Sequence, residues 1–137
     1  MSDAALVSAL LSIDPKGLGG VWVRARHGPH RDALVNALDA VSLRPRVVRS
    51  GMDPTALFGG VDLTESLLQG QLVETGGVLR DGCCFHVMQA ERIATGLSSQ
   101  IAARTDALSN TATLLFDEGT EDDALPPAVL RERVAFF

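Results

Sequence analysis

Residues 25 to 32 read Ala-Arg-His-Gly-Pro-His-Arg-Asp, between a short apolar run and a helix-forming stretch. That is the setting in which a strand, a turn and a helix N-terminus can hold phosphate. A working loop of the form G-x-x-x-x-G-K-[ST] cradles phosphates with backbone N–H groups. Its lysine reaches the β/γ oxygens and its hydroxyl holds Mg²⁺. Laid on this stretch, the pattern puts Ala25 at the first glycine, His30 at the second, Arg31 at the lysine and Asp32 at the hydroxyl, with Gly28 inside the loop. His30 adds a Cβ where phosphate must approach closely. Asp32 adds a negative charge beside the triphosphate. Arg31 keeps the positive charge, but its planar head does not replace a compact ammonium. The loop shape survives here without its chemistry, although an ordinary βα turn would read the same way.

Three other groups invite chemistry. Cys83-Cys84-Phe85-His86 has the look of a metal half-site, but the chain offers no matching second ligand pair. In a strand, adjacent cysteines point to opposite faces, so Cys83 and Cys84 are expected as buried, reduced thiols. Asp117, Glu118, Glu121, Asp122 and Asp123 make an acidic stretch. It is read either as a solvated loop or as a surface that repels triphosphate and faces an Arg-bearing partner. Arg131 and Arg133 end a short helix near the C-terminus, where a surface charge pair is the simplest reading.

The chain has 137 residues, 46% of them hydrophobic and 21% charged, which suits one globular domain over 1–137. With 12 basic residues against 17 acidic, the net charge of -5 argues against nonspecific nucleic-acid binding. All basic residues but Lys16 are arginine, the side chain suited to bidentate pairs and phosphate contacts, although a GC-rich genome would give the same bias. No segment approaches the roughly 20 apolar residues of a membrane span. Asp3 stands where a signal peptide needs basic charge, so a cytoplasmic location is expected.

The elements that would position these residues follow from apolar periodicity and turn signals. Helices are expected over Asp3 to Ser12, Arg31 to Val41, Leu63 to Leu68 (capped by Asp62), Glu91 to Leu108 and Ala128 to Arg133. The first should bury Ala5, Leu6, Ala9, Leu10 and Ile13; the second, Leu34, Leu38 and Val41; the fourth, Ile93, Leu97, Ile101 and Leu108. Strands are expected over Val21 to Ala25, Arg46 to Arg49, Cys83 to Met88 and Thr111 to Phe116. Asp14 to Gly20 and Gly51 to Asp62 read as turn and loop, and Gln69 to Gly82 as turns or a hairpin. Strands that alternate with helices and lack a polar face imply a parallel sheet covered on both sides. The final Ala135-Phe136-Phe137 is apolar, and the chain is read as a fragment of a longer protein.

Several segments in this order resemble one family. They are Gly20-Val-Trp-Val-Arg-Ala-Arg-His-Gly-Pro, Leu57-Phe-Gly-Gly-Val-Asp-Leu, Gly76-Gly-Val-Leu-Arg-Asp-Gly82, Val87-Met-Gln-Ala-Glu-Arg-Ile and Asp117-Glu-Gly, followed by Asp123-Ala-Leu-Pro-Pro-Ala-Val-Leu-Arg-Glu-Arg133. Together they are similar to the N-terminal ATPase-like domain of the D-type subunits of magnesium chelatase. The resemblance implies an α/β, three-layer P-loop NTPase-like (AAA+) sheet with a loop or hairpin insertion around 59–82. It also implies a helical lid, a linker and an integrin-I-like domain lying outside this chain.

Residue by residue, the resemblance places Val87 and Met88 where active relatives carry two carboxylates, one for Mg²⁺ and one to activate water. Neither can serve. Glu91 lies further on and is not assigned to that role. Thr120 falls near the polar sensor of the γ-phosphate. Arg133 matches an arginine finger, which reaches into a neighbouring protomer's nucleotide site; Arg131 is the weaker candidate. The implied role is a non-catalytic platform that binds no cofactor itself. ATP and Mg²⁺ are expected on the partner, the ring-forming I-type ATPase of magnesium chelatase. The porphyrin-binding H-type component, where Mg²⁺ enters protoporphyrin, and self-association are the other expected contacts. Two other readings stand beside it: a divergent ATP-binding MoxR/chelatase-type ATPase, and a thiol- or metal-responsive regulator built on Cys83, Cys84 and His86.

Overall fold

A computed structural model describes residues 3–24, 28–38, 43–61, 63–118 and 125–136 of the chain. The elements run α1 (Asp3–Ile13), α2 (Pro15–Leu18), β1 (Gly20–Arg24), α3 (Pro29–Leu38), β2 (Arg44–Val48), α4 (Pro54–Phe58), β3 (Gly60–Val61), α5 (Leu63–Gln69), β4 (Glu74–Thr75), β5 (Cys83–Val87), α6 (Thr95–Ala107), β6 (Ala112–Asp117) and α7 (Ala128–Arg131), with a 3-10 turn over Ala90–Arg92. Proline opens α2, α3 and α4, where its fixed φ suits a first helical turn and its missing N–H costs nothing. Asp14 and Asp53 cap α2 and α4 by accepting from Gly17 N and Thr55 N.

Four parallel strands form one sheet in the order β1-β6-β5-β2. The apolar residues of each strand divide between its two faces. Cys83, Phe85, Val87 and Leu115 join one core with Ile101 of α6 and Leu130 of α7. Cys84, Leu114 and Phe116 join the other with Val21, Val23 and Leu11 of α1. Helices therefore cover both faces, as continuous apolar strands require. Both thiols are buried and reduced, on opposite faces as expected. Beyond β1, Phe136 pairs with Val21 in parallel, and Trp22 N donates to Phe136 O at 2.9 Å, so the apolar tail extends the sheet.

The segment after β2 carries the insertion. β3 and β4 pair antiparallel across α5. Leu57 of α4 is fully buried, and its carbonyl accepts from Leu79 N at 3.0 Å. Gly77 is needed at this crossing because an added Cβ would lie 2.1 Å from Leu57 O.

The structure corrects several boundaries and one face. The expected turn at Asp14 to Gly20 contains α2, and the expected loop at Gly51 to Asp62 contains α4; both are short helices signalled by an Asp-Pro start. α3 begins at Pro29 rather than Arg31, and β2 runs from Arg44 to Val48. In α1, Ser8 and Leu11 face inward, while Leu6 is 49% and Ile13 80% exposed. That helix is apolar on most sides, so periodicity alone did not select its buried face. Ile93, Ile101 and Leu108 are buried as expected. Ala25, Val41, Asp62 and Thr120 lie outside the described residues, as do the side chains of Ala5, His30, Leu34 and Leu38. Among the described residues, no helix is long and apolar enough to cross a membrane.

Candidate functional site

β1, β5 and β6 end at one edge of the sheet, and the N-terminus of α3 meets them there. In open α/β sheets this carboxyl edge is where ligands bind. Arg31, at the lysine position of the phosphate loop, turns into this edge and is only 4% exposed. Its Nη1 donates to Glu118 Oε1 at 3.0 Å, its Cζ sits 4.6 Å over the Phe116 ring, and its Nη2 meets Met88 Sδ at 3.9 Å. A guanidinium can stack on an aromatic face and pair with a carboxylate at once, which a lysine does less well. Asp32, at the hydroxyl position, is exposed in the first turn of α3. Gly28 has open space around it, since an added Cβ meets nothing within 4 Å.

Val87 is fully buried in the core, and Met88 is half-buried against Arg31. Neither matches the hard oxygen ligands that Mg²⁺ prefers. The ion pair to Glu118 and the thioether of Met88 surround the positive charge at the lysine position of the loop.

Asp117 corrects the reading of an acidic loop. It ends β6, is fully buried, accepts from Trp22 Nε1 at 3.3 Å and forms an ion pair with Arg24 Nε, also at 3.3 Å. Glu118 is likewise engaged, with Arg31. Two of the five acids in that stretch are thus paired inside the chain; Glu121, Asp122 and Asp123 lie outside the described residues.

Glu91, unassigned from sequence, joins the same edge from the 3-10 turn after β5. Burial raises its carboxyl above the ordinary range, and the neighbouring Asp117 carboxylate pushes the same way through charge and a shared proton. Hydrogen bonds from the backbone of Glu91 and Glu118 oppose this. Its Oε2 is buried with no hydrogen-bond partner among the described residues. No signal in the sequence separates Glu91 from a solvated helix residue, because its setting depends on Asp117, 26 positions on.

Arg133 stands at the opposite edge, where β1 and β6 begin. Its Nε and Nη2 contact the Asp106 carboxylate at the end of α6 at 2.8–3.1 Å, and Nη1 donates to Val129 O at 2.6 Å. The hydrogen bond from Arg133 holds the Asp106 carboxyl below its ordinary range, against a small burial cost. The Arg133 side chain remains 37% exposed. Arg131, the weaker candidate, folds back instead: its Nε donates to Pro126 O at 2.8 Å and its Cζ lies 5.7 Å from the Trp22 ring. Five-residue strands separate the two edges by about 16 Å, so Arg133 and Arg31 cannot serve one ligand in the same chain.

His86 packs its ring 5.7 Å from Phe116, and among the described residues no three His, Cys, Asp or Glu are grouped to hold a metal ion.

No protein-family model matches the chain. The magnesium-chelatase 60 kDa subunit of Cereibacter sphaeroides is 39% identical over 135 residues, covering 98% of this chain and 24% of that protein. The protein of the same name from Rhodobacter capsulatus is 34% identical over 132 residues, covering 94% and 23%. The chain therefore spans about a quarter of the length of the curated relatives it matches. A chain in a cryo-EM-based model of the complex between subunits BchI and BchD of magnesium chelatase superposes with a TM-score of 0.68 at 15% identity, over 97% of this chain and 56% of that one, and shares its fold. Over nearly its whole length the chain is similar in sequence to about a quarter of the magnesium-chelatase 60 kDa (BchD-type) subunit, and its parallel sheet has the AAA+-like fold of the BchI–BchD complex.

Proposed function

We propose that this domain is a non-catalytic platform of magnesium chelatase, which assembles with an ATPase of the BchI type and supports ATP-driven insertion of Mg²⁺ into protoporphyrin IX in (bacterio)chlorophyll synthesis. The observation that carries this reading is the state of Arg31. The cation that would grip a triphosphate is already paired with Glu118 and stacked on Phe116. Val87 and Met88 stand where metal-holding and water-activating carboxylates are needed, and Asp32 adds charge of the wrong sign. Among the described residues, the side chains at this edge do not fit Mg²⁺-ATP.

The domain then acts through its surfaces. Arg133 is exposed at the far edge, where a neighbouring protomer's nucleotide can receive it as an arginine finger in trans. ATP and its Mg²⁺ belong to the neighbour, and the porphyrin-binding H-type component and a second copy of the chain complete the proposed assembly.

The test is co-purification of the full-length D-type protein with its BchI-type partner, with and without ATP, together with titration of the domain by a fluorescent ATP analogue and Mg²⁺. Assembly without saturable nucleotide binding by the domain is the expected result. Saturable binding would overturn the platform reading in favour of a divergent ATPase.

A further inference from the structure

Lys16 is the only lysine in the chain, and it stands beside Arg133. α2 brings it to the start of β1, where its Nζ donates to the last carbonyls of α6, Thr105 O at 2.5 Å and Asp106 O at 3.1 Å. Arg133 grips the carboxylate of that same Asp106. Lys16 also lowers the Asp106 carboxyl through its charge. Two exposed cations from sequence-remote elements thus meet at Asp106, Lys16 on its backbone carbonyl and Arg133 on its carboxylate.

They share a cavity of about 160 Å³ that opens between Gly19, Thr111, Thr113 and Asp106. At about 30 Å³ per water it has room for roughly five waters. That is enough for a projecting phosphoryl group and too little for a whole nucleotide. The backbone holds the corner closely. Gly19 has φ +80, and an added Cβ there would lie 1.7 Å from Arg133 O. Ala135 N donates to Leu18 O at 3.0 Å, tying the segment after α7 to the end of α2.

We propose that Lys16 and Arg133 form a two-cation contact for the terminal phosphate of a nucleotide bound to the neighbouring protomer, with Asp106 holding the guanidinium in register until that phosphate takes its place. This rests on the platform reading above and adds a residue to it. In the step assisted, a water oxygen on the neighbour attacks the γ-phosphorus. The bond from that phosphorus to the β,γ-bridging oxygen breaks, its electron pair leaves with ADP, and the water proton passes to solvent. The two cations offset negative charge on the phosphoryl oxygens as that bond lengthens. Lys16 contributes a point charge, and Arg133 the planar fork.

The experiment measures steady-state ATPase activity of the complex between the full-length D-type chain and its BchI-type partner, with Mg²⁺-ATP as the varied substrate. Lys16→Met, Lys16→Arg and Arg133→Ala are each compared with wild type, with Tm and co-purification as controls. The expected result is that Lys16→Met lowers kcat roughly 10- to 100-fold with KM, Tm and assembly unchanged, and that Lys16→Arg restores most of it. If Lys16→Met matches wild type while Arg133→Ala lowers kcat, the two-cation contact is wrong and the platform reading stands. If neither substitution has any effect, the two-cation contact and the finger role of Arg133 both fail, while the platform reading is decided by its own assembly and nucleotide-binding test. If Lys16→Met lowers Tm or assembly, and kcat falls only in proportion, Lys16 is a structural cap on α6 and the proposal is overturned.

Discussion

Arg31 and Glu118, 87 positions apart in the chain, meet in a 3.0 Å ion pair at the carboxyl edge of the sheet. The arginine is almost wholly buried and the glutamate side chain is 30% exposed. Removing one partner leaves the other carrying an uncompensated, partly desolvated charge. Arg31→Ala is expected to cost about 1–3 kcal/mol of stability, with Glu118→Gln costing less. The double variant should cost less than the sum of the two, by about 1 kcal/mol. Urea unfolding of the four proteins measures this coupling, and strict additivity would remove the pair as a stabilising contact.

Restoring the phosphate-loop residues should not restore binding. In Arg31→Lys combined with Asp32→Thr, Glu118 is still available to the new ammonium, and Val87 and Met88 still hold no metal. Titration with a fluorescent ATP analogue and Mg²⁺ should give no saturable signal. Recovery of binding by those two substitutions would mean that the metal side of the site is intact.

Glu91 makes stability depend on pH in a definite sense. Its carboxyl is raised in the folded chain, chiefly by burial and then by Asp117. The folded state therefore holds that proton where the unfolded state has already lost it. Stability contributed by the protonated form is complete below the ordinary carboxylate range and is lost as pH rises through the raised value. Glu91→Gln removes the buried charge, so its Tm at neutral pH should exceed that of wild type by roughly 2–4 °C. The difference should vanish at pH 4. A lower Tm for Glu91→Gln at pH 7 would show that the ionised carboxylate is the favoured form.

Arg133 and Asp106 are both exposed, with side chains 37% and 54% accessible. Such a pair is worth at most about 1 kcal/mol. Arg133→Ala should therefore leave Tm within a few degrees of wild type, so that a fall in the ATPase or chelatase activity of the complex reports function rather than unfolding. A finger role predicts a loss on the order of 10³-fold at the sites it serves. Unchanged activity and unchanged assembly together would remove that role.

Cys83 and Cys84 are buried on opposite faces of β5. Neither should react with a thiol reagent such as Ellman's in the native protein, and both should react once the chain is unfolded in guanidinium. Rapid native labelling of one thiol would revive the redox-responsive reading.

What the sequence determined by itself is local. The stretches at residues 21–25, 83–88 and 111–116 read as buried strands because no polar face interrupts them, and β1, β5 and β6 lie within one residue of those bounds. Strand parity sends Cys83 and Cys84 to opposite sides. The departure of Arg31 and Asp32 from a phosphate loop is read by laying its pattern on the sequence, and that of Val87 and Met88 from an acidic pair is what the family resemblance implies. The Asp-Pro pairs that open α2 and α4 stand in stretches that read as turn and loop, because helices of four and five residues show no apolar periodicity. Tertiary structure alone decided the rest. The pairs Arg31–Glu118, Arg24–Asp117 and Arg133–Asp106 join residues on different elements, and Lys16 reaches α6 across 89 positions. The β1-β6-β5-β2 order brings Asp117, otherwise one acid in a run of acids, beside Trp22 and Arg24 and close to Glu91. The inward face of α1 was settled by what it packs against, since a helix apolar on most sides has no preferred face of its own. Charge and apolarity can be read one residue at a time, whereas burial and pairing depend on which strands become neighbours.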